Sequence, residues 1–245
     1  RISLMTARAT SLQSTGAWRR FAAFVRRPEL PDRATGMRAA AVPVLARLFA
    51  LDLVLMAGLI VLAAAAVALG AKLPGHMLEG LEMGAPLIFF ILVAAPLGEE
   101  IAFRGWLSGR PGHLAASGIL LLTGFVFLFA ISGNPLGPLG AVAAPAAGAV
   151  LAAVMLWANR RRAPVGLFRR NFRWFYFGSA LAFASVHLVN FTGGAALVLL
   201  PLTLPQFLLG LILGYARVQF GLWASILLHA AHNALFLGLV LAGTG

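Results

Sequence analysis

The 245-residue sequence has no cysteine and few charged side chains. The absence of cysteine excludes disulfide bridges, thiolate metal sites and a cysteine nucleophile. Charged residues make up 11% of the chain and hydrophobic residues 61%, whereas a soluble domain has about 25% charged and about 45–50% apolar residues. Polar side chains are therefore too scarce to cover a surface that faces water. The composition excludes a soluble enzyme, a disordered chain and a disulfide scaffold, and it indicates a polytopic membrane protein.

Negative charge is scarcer still, with seven acidic residues against 19 basic ones and a formal net charge of +12. In a soluble protein this excess would suggest nucleic-acid binding. Here the basic residues concentrate in residues 1–47 and 159–173, beside apolar segments, and cytoplasmic loops of membrane proteins are enriched in Arg and Lys. The charge therefore predicts a cytoplasmic N-terminus and no nucleic-acid partner. Because an Ala-, Gly- and Arg-rich composition is typical of GC-rich bacterial genomes, we expect a bacterial cytoplasmic membrane protein.

Long apolar runs fill most of the chain after residue 44, and a helix needs ~20 residues to cross the hydrocarbon core. The runs are continuous rather than alternating, which favours helices over strands. They predict spans at about 45–70, 84–108, 114–133, 138–158, 174–192, 195–216 and 221–241. The Pro-rich stretch 133–150 leaves the count at seven or eight. We therefore expect an all-α transmembrane bundle over residues 45–245.

Residues 1–44 form the only long segment that is not typical of a membrane span. The basic and aromatic run over residues 18–27 fits a short amphipathic helix on an anionic membrane surface. A loosely ordered cytoplasmic arm fits the same composition, and the sequence does not separate the two.

Two adjacent carboxylates and an arginine lie inside the second predicted span, where a charge costs ~2.5–3.5 kcal/mol on insertion scales. Glu100 and Arg104 are spaced i, i+4, so they can form an ion pair on one helix face. Glu99 points about 100° away from Glu100 and lacks a partner on its own helix. Asp52, at the opening of the first span, is expected to be solvated.

The other buried polar groups come from two later spans. Phe183 and His187 share one helix face, as do His229 and Asn233 on the last span, while His232 lies between the latter two. The predicted topology puts Glu99, His187 and His229 at comparable depth. We therefore expect these three helices to converge on one polar intramembrane cavity.

These residue types suit hydrolysis of an amide bond. A glutamate assisted by a histidine can deprotonate water, and histidine and asparagine can donate hydrogen bonds to a developing oxyanion. Neither the G-x-S-x-G elbow nor the H-E-x-x-H zinc motif occurs in the sequence. A Zn²⁺ site formed by Glu99, His187 and His229 stays open on ligand type.

Three motifs occur in order within the apolar spans: E-E-x-x-x-R from Glu99 to Arg104, F-x-x-x-H from Phe183 to His187, and H-x-x-x-N from His229 to Asn233. Over about residues 84–240 the chain resembles the CAAX protease and bacteriocin-processing family of intramembrane endopeptidases, which includes the Ras-converting-enzyme type. The resemblance implies a membrane-associated peptide or protein as substrate.

The resemblance also implies a role for each matching residue. Glu99 would be the general base, assisted by His187, with Glu100 and Arg104 orienting it. His229 and Asn233 would form the oxyanion hole, and His232 has no counterpart in the motif. We favour the metal-free form of this chemistry over one that uses Zn²⁺, because both oxyanion donors then have a use.

Two other functions use the same residues. A proton-coupled transporter would employ the buried Glu and His as a relay, but no internal repeat is apparent in the sequence. A non-catalytic membrane scaffold or immunity protein would keep the fold and lose the reaction. The intact set of Glu99, His187, His229 and Asn233 favours the endopeptidase.

Overall fold

The computed structural model describes residues 16–77, 81–132, 137–192 and 199–243. Of the predicted basic arm at 1–44, residues 1–15 lie outside this part, as do residues 195–198 of the sixth predicted span. Within the described ranges the chain is an all-α polytopic bundle, with two strands of two residues each.

A helix lies at each of the seven predicted positions. Among the described residues, five helical segments are long and apolar enough to cross a membrane: Ala39–Ala68, Ala85–Arg104, Pro111–Ile131, Leu200–Phe220 and Leu222–Ala242. The helix at Gly137–Ala158 covers most of the Pro-rich stretch, with Pro145 inside it. The fifth position has a 15-residue helix, Phe172–Val186, followed by a 3₁₀ turn at His187–Asn190. The predicted helical membrane fold is thus confirmed.

The helices are named here in chain order. They are α1 (Ala17–Arg26), α2 (Val42–Ala68), α3 (Ala85–Phe89), α4 (Ala95–Arg104), α5 (Pro111–Ile131), α6 (Gly137–Ala158), α7 (Gly166–Arg170), α8 (Phe172–Val186), α9 (Leu204–Phe220) and α10 (Leu222–Gly243). A π-helical turn at Phe90–Ala94 joins α3 to α4. Strands β1 (Gly75–His76) and β2 (Phe191–Thr192) pair antiparallel.

Helix α1 is strongly amphipathic, and its apolar face packs on the bundle rather than standing apart from it. The ring of Phe24 meets Tyr176 and Tyr215 edge-on at centroid distances of 5.1 and 5.0 Å, and Phe21 meets Tyr215 at 5.5 Å. The indole N–H of Trp18 donates to the Arg47 carbonyl at 2.7 Å. The described part of the arm is therefore attached to both α2 and α9.

The basic segments meet at one end of the bundle. Arg110 donates to the Asp32 and Arg162 carbonyls, both at 2.9 Å, and Arg169 pairs with the Asp32 carboxylate at 2.7 Å. The β1–β2 pair joins the loops at the other ends of α2 and α8. The arm and the loops near Arg110, Arg162 and Arg169 therefore lie at the same end of the bundle. Four predicted spans separate the arm from the 159–173 segment, and an even number of spans puts both on one side.

The centre of the bundle is α9, whose middle is buried on all sides. Small residues let α8 approach it closely: a Cβ added at Gly210 would lie 3.2 Å from the Ala180 Cα, and one at Gly214 would lie 2.9 Å from Tyr176. Close backbone approach through small residues is the usual packing mode of membrane helices. Helices α4 and α10 pack around this core and bring their polar side chains to it.

Candidate active site

Helix α4 carries the Glu-Glu motif and ends at Arg104. Glu100 Oε1 accepts a hydrogen bond from Arg104 Nη1 at 2.7 Å, and both side chains are fully buried. The i, i+4 spacing predicts this ion pair, and the structure confirms it. A buried pair adds little net stability because desolvation offsets its attraction, but loss of one partner leaves an uncompensated charge. The pair therefore constrains the geometry around α4.

A second arginine caps the C-terminal end of α4. Arg217 of α9 donates from Nε to the Arg104 carbonyl and from Nη2 to the Gly105 carbonyl, both at 2.8 Å. The last carbonyls of a helix have no helical partners, and a cation is favourable at this negative end of the dipole. Arg217 is not among the site residues that the sequence predicts. Arg217 is the one charged residue of α9, and this is the signal that could have identified it.

His229 of α10 joins both carboxylates. Its Nδ1 lies 3.0 Å from Glu100 Oε1, and its Nε2 lies 3.6 Å from Glu99 Oε2. Because an ionised carboxylate only accepts hydrogen bonds, Nδ1 must carry a hydrogen. The Nε2 atom can then donate only when the ring carries both protons. The contact with Glu99 supplies the partner that this glutamate lacks on α4.

The two glutamates occupy different environments. The Glu100 side chain is fully buried, whereas 31% of the Glu99 side chain is exposed. Glu99 is therefore the accessible carboxylate of the two, while Glu100 is held by Arg104 and His229.

Phe183 connects the second motif, F-x-x-x-H, to this cluster. The Arg104 guanidinium lies 3.9 Å from the centre of its ring, and His229 packs edge-on against it at 5.5 Å. His187 lies against the same ring at 4.6 Å, and its Nδ1 donates to the Phe183 carbonyl at 2.7 Å. This bond leaves Nε2 of His187 as the nitrogen that can accept a proton. His187 and His229 thus lie against the same aromatic ring, and His229 is the one that contacts Glu99.

Asn233 binds the π-helical turn. Its Nδ2 donates to the Ile91 carbonyl at 2.9 Å. The Ala95 N–H reaches back to Phe90, and the next residue in the π pattern, Pro96, has no N–H. Asn233 therefore supplies the donor that the Ile91 carbonyl lacks. The side-chain amide has two hydrogens, and this bond uses one of them.

The expectation that Asp52 is solvated is wrong. Asp52 is 1% exposed, and its Oδ2 accepts a hydrogen bond from His232 Nδ1 at 2.7 Å. The apolar run around Asp52 gives no indication of a partner, because His232 lies 180 residues further along the chain. His232, for which sequence reasoning assigns no role, is thus the partner of Asp52.

The zinc alternative requires Glu99, His187 and His229 to form one ligand set. In the part of the chain that the structure describes, no group of three or more His, Asp or Glu side chains could hold a metal ion. The Nδ1 atoms of both histidines are engaged, by the Phe183 carbonyl and by Glu100, which leaves Nε2 of each ring as the nitrogen that faces any ligand. The metal-free chemistry stays a prediction, and the chelation experiment below tests it.

All three motifs lie within the segments matched by a known family. The model of the Rce1-like type II CAAX prenyl endopeptidases matches residues 81–168 and 161–235, more than half of the chain. This chain belongs to the Rce1-like family. Among curated proteins and solved structures, no match was found. The Rce1-like match begins at residue 81, so α1 and α2, with Asp52, lie outside it.

The buried ion pair gives a stability prediction. We expect Arg104→Met to destabilise the protein by about 3–5 kcal/mol, because it leaves the Glu100 charge buried without its arginine. Replacing both residues, by Glu100→Leu and Arg104→Met, is expected to cost less than the single change. Thermal unfolding in detergent measures both, with the exposed Arg161→Met as the matched control. A double variant less stable than Arg104→Met would contradict this account.

Proposed function

We propose that this membrane protein of the Rce1-like family is an intramembrane endopeptidase that hydrolyses a peptide bond with water activated by Glu99. The observation that carries the proposal is the different environment of two adjacent carboxylates. Glu100 is buried and paired with Arg104, whereas Glu99 is partly exposed. Environments that separate two neighbouring carboxylates are typical of sites where one group performs acid–base chemistry and the other supports it.

In the proposed reaction Glu99, assisted by His187, takes a proton from water as the water oxygen attacks the scissile carbonyl carbon. The carbonyl oxygen becomes an oxyanion, which accepts hydrogen bonds from His229 Nε2 and Asn233 Nδ2. When the C–N bond breaks, the leaving amine receives the proton held by Glu99. Each oxyanion donor contributes about 2.7–4 kcal/mol of transition-state stabilisation in other enzymes.

The surroundings of His229 support this role. Its Nδ1 donates to Glu100, so the ring carries both protons when Nε2 acts as a donor. The two negative charges of Glu99 and Glu100 can balance the positive charges of Arg104 and of a His229 ring that carries both protons. The cluster would then have no net charge at a buried site. Asn233 is anchored through one amide hydrogen, which leaves the second for the substrate.

The proposed substrate is a membrane-associated peptide or protein, with the lipid bilayer as the medium. Glu99, His229 and Asn233 lie on helical segments that are long and apolar enough to cross a membrane. We further propose a bacterial cytoplasmic membrane with the arm and the basic loops in the cytoplasm. The gathering of these basic segments at one end of the bundle supports this orientation.

The central test compares wild type with Glu99→Gln. Purified protein in lipid nanodiscs is incubated with a mixture of palmitoylated peptides and farnesylated C-a-a-X peptides, and mass spectrometry measures the products. We expect wild type to cleave at least one peptide and Glu99→Gln to cleave it about 10²–10⁴-fold more slowly, because the general base is absent. Its abundance should be unchanged, since Glu99 is partly exposed.

Glu82→Gln is the matched control, because Glu82 is exposed and lies outside the site. This variant is expected to cleave at the wild-type rate. Cleavage by Glu99→Gln at the wild-type rate would refute the role of Glu99, and a collapse in its abundance would make that residue structural.

Asn233→Ala tests the oxyanion hole. Loss of one donor is expected to lower kcat by about 10²–10³-fold with little change in KM, because the bond forms mainly in the transition state. Steady-state kinetics on the best peptide of the mixture measure this effect. An unaltered kcat would remove Asn233 from the reaction.

Chelation tests the metal-free mechanism. We expect o-phenanthroline at millimolar concentration to leave the cleavage rate of purified protein unchanged, because no step uses a metal ion. The rate is measured before and after addition, with a zinc peptidase treated in parallel as the positive control. Rapid loss of activity that added Zn²⁺ restores would contradict the mechanism.

A further inference from the structure

Helix α10 contacts a helix that the family match does not cover. One turn along from His229, His232 donates from Nδ1 to Oδ2 of Asp52 on α2 at 2.7 Å. Asp52 is 1% exposed, and 16% of the His232 side chain is exposed. The ring of His232 also packs against Phe236 at 4.5 Å. This pair lies beside the proposed active site, and neither residue belongs to its three motifs.

A buried carboxyl group needs hydrogen-bond donors, since burial without them carries a large desolvation cost. The second oxygen of Asp52, Oδ1, has no hydrogen-bond partner among the described residues. His232 is therefore the side chain that compensates the burial of Asp52. A pair of this kind restricts how two helices can shift past each other, whereas contacts between aliphatic side chains tolerate small displacements.

Three polar side chains of α10, His229, His232 and Asn233, bind three different segments. Successive helix residues turn by about 100°, so His232 points about 60° from His229 and about 100° from Asn233. His229 binds Glu100 of α4, Asn233 binds the Ile91 carbonyl of the π-helical turn, and His232 binds Asp52 of α2. Bonds in three directions determine the rotation of α10 about its axis.

We infer that Asp52 and His232 are positioning residues, which hold α10 in the rotation that brings His229 and Asn233 to the reacting carbonyl. The inference deepens the proposed function and rests on it for its kinetic consequence. It makes α2 a functional part of the site. Neither residue contacts substrate in this account; both act through His229 and Asn233.

The kinetic test uses Asp52→Ala, with the most rapidly cleaved peptide of the nanodisc mixture as the probe. Misplacement of catalytic groups by about 1 Å can cost about 10²-fold in rate. We expect Asp52→Ala to lower kcat by about 10–100-fold with KM within about twofold of wild type. Asp52→Asn keeps an oxygen that accepts from His232, so we expect its kcat within about threefold of wild type.

The exchanged pair, Asp52→His with His232→Asp, tests the contact itself and is expected to recover most of the kcat lost in Asp52→Ala. Asp32→Ala is the matched control. It removes an aspartate whose ion pair with Arg169 has the same 2.7 Å length but is exposed at the end of the bundle. Its kcat is expected to equal that of wild type.

A second readout does not require activity. Because the chain has five histidines, ¹⁵N-histidine labelling gives few ring signals, which single substitutions assign. We expect the Nδ1 signal of His229 to shift in Asp52→Ala, as its bond to Glu100 changes, and to return in Asp52→Asn.

An unchanged kcat together with an unmoved His229 signal in Asp52→Ala would overturn the inference. The inference would also be overturned if kcat fell only in variants whose thermal stability falls, while the His229 signal stayed unmoved. The pair would then be merely structural. Wild-type protein that cleaves no peptide would count against the proposed function, and the His229 signal would then decide the positioning role alone.

Discussion

The ion pair between Glu100 and Arg104 is the constraint around which the rest of the site is arranged. Two opposite charges buried inside an apolar bundle tolerate little displacement, since each becomes costly without the other. Glu100 also accepts from His229, and Arg104 lies over the Phe183 ring. Arg217 binds the carbonyl of Arg104 and the next one along the chain. Four helices, α4, α8, α9 and α10, are therefore tied to one pair of charges.

This ion pair gives the two adjacent glutamates different environments. Glu100 is held between an arginine and a histidine, so it orients its neighbours and does not face water. Glu99, one residue earlier, turns away from that pair and keeps part of its carboxylate exposed. Adjacent residues on a helix point about 100° apart, and the buried partners lie on one side only. The Glu-Glu motif thus combines a structural and an accessible carboxylate in consecutive residues.

The last helix depends on partners from the whole chain. Its side chains His229, Asn233 and His232 bind α4, the π-helical turn and α2. The π-helical turn lies just before Pro96, which has no N–H to donate to the Ile91 carbonyl. Helices packed only by aliphatic contacts can slide and rotate slightly, whereas hydrogen bonds in an apolar environment are directional and costly to lose. Polar residues placed in a membrane bundle therefore serve geometry as well as chemistry.

Composition and apolar run length were enough to predict a helical membrane protein, and i, i+4 spacing was enough to predict the Glu100–Arg104 pair, because these properties depend on residues close together in the chain. The burial of Asp52, its bond to His232, the capping role of Arg217 and the bond of Asn233 to Ile91 could not be predicted in this way. Each joins residues more than 100 positions apart. Such contacts depend on how closely helices approach and how each is rotated, and these quantities are set by packing across the assembled bundle.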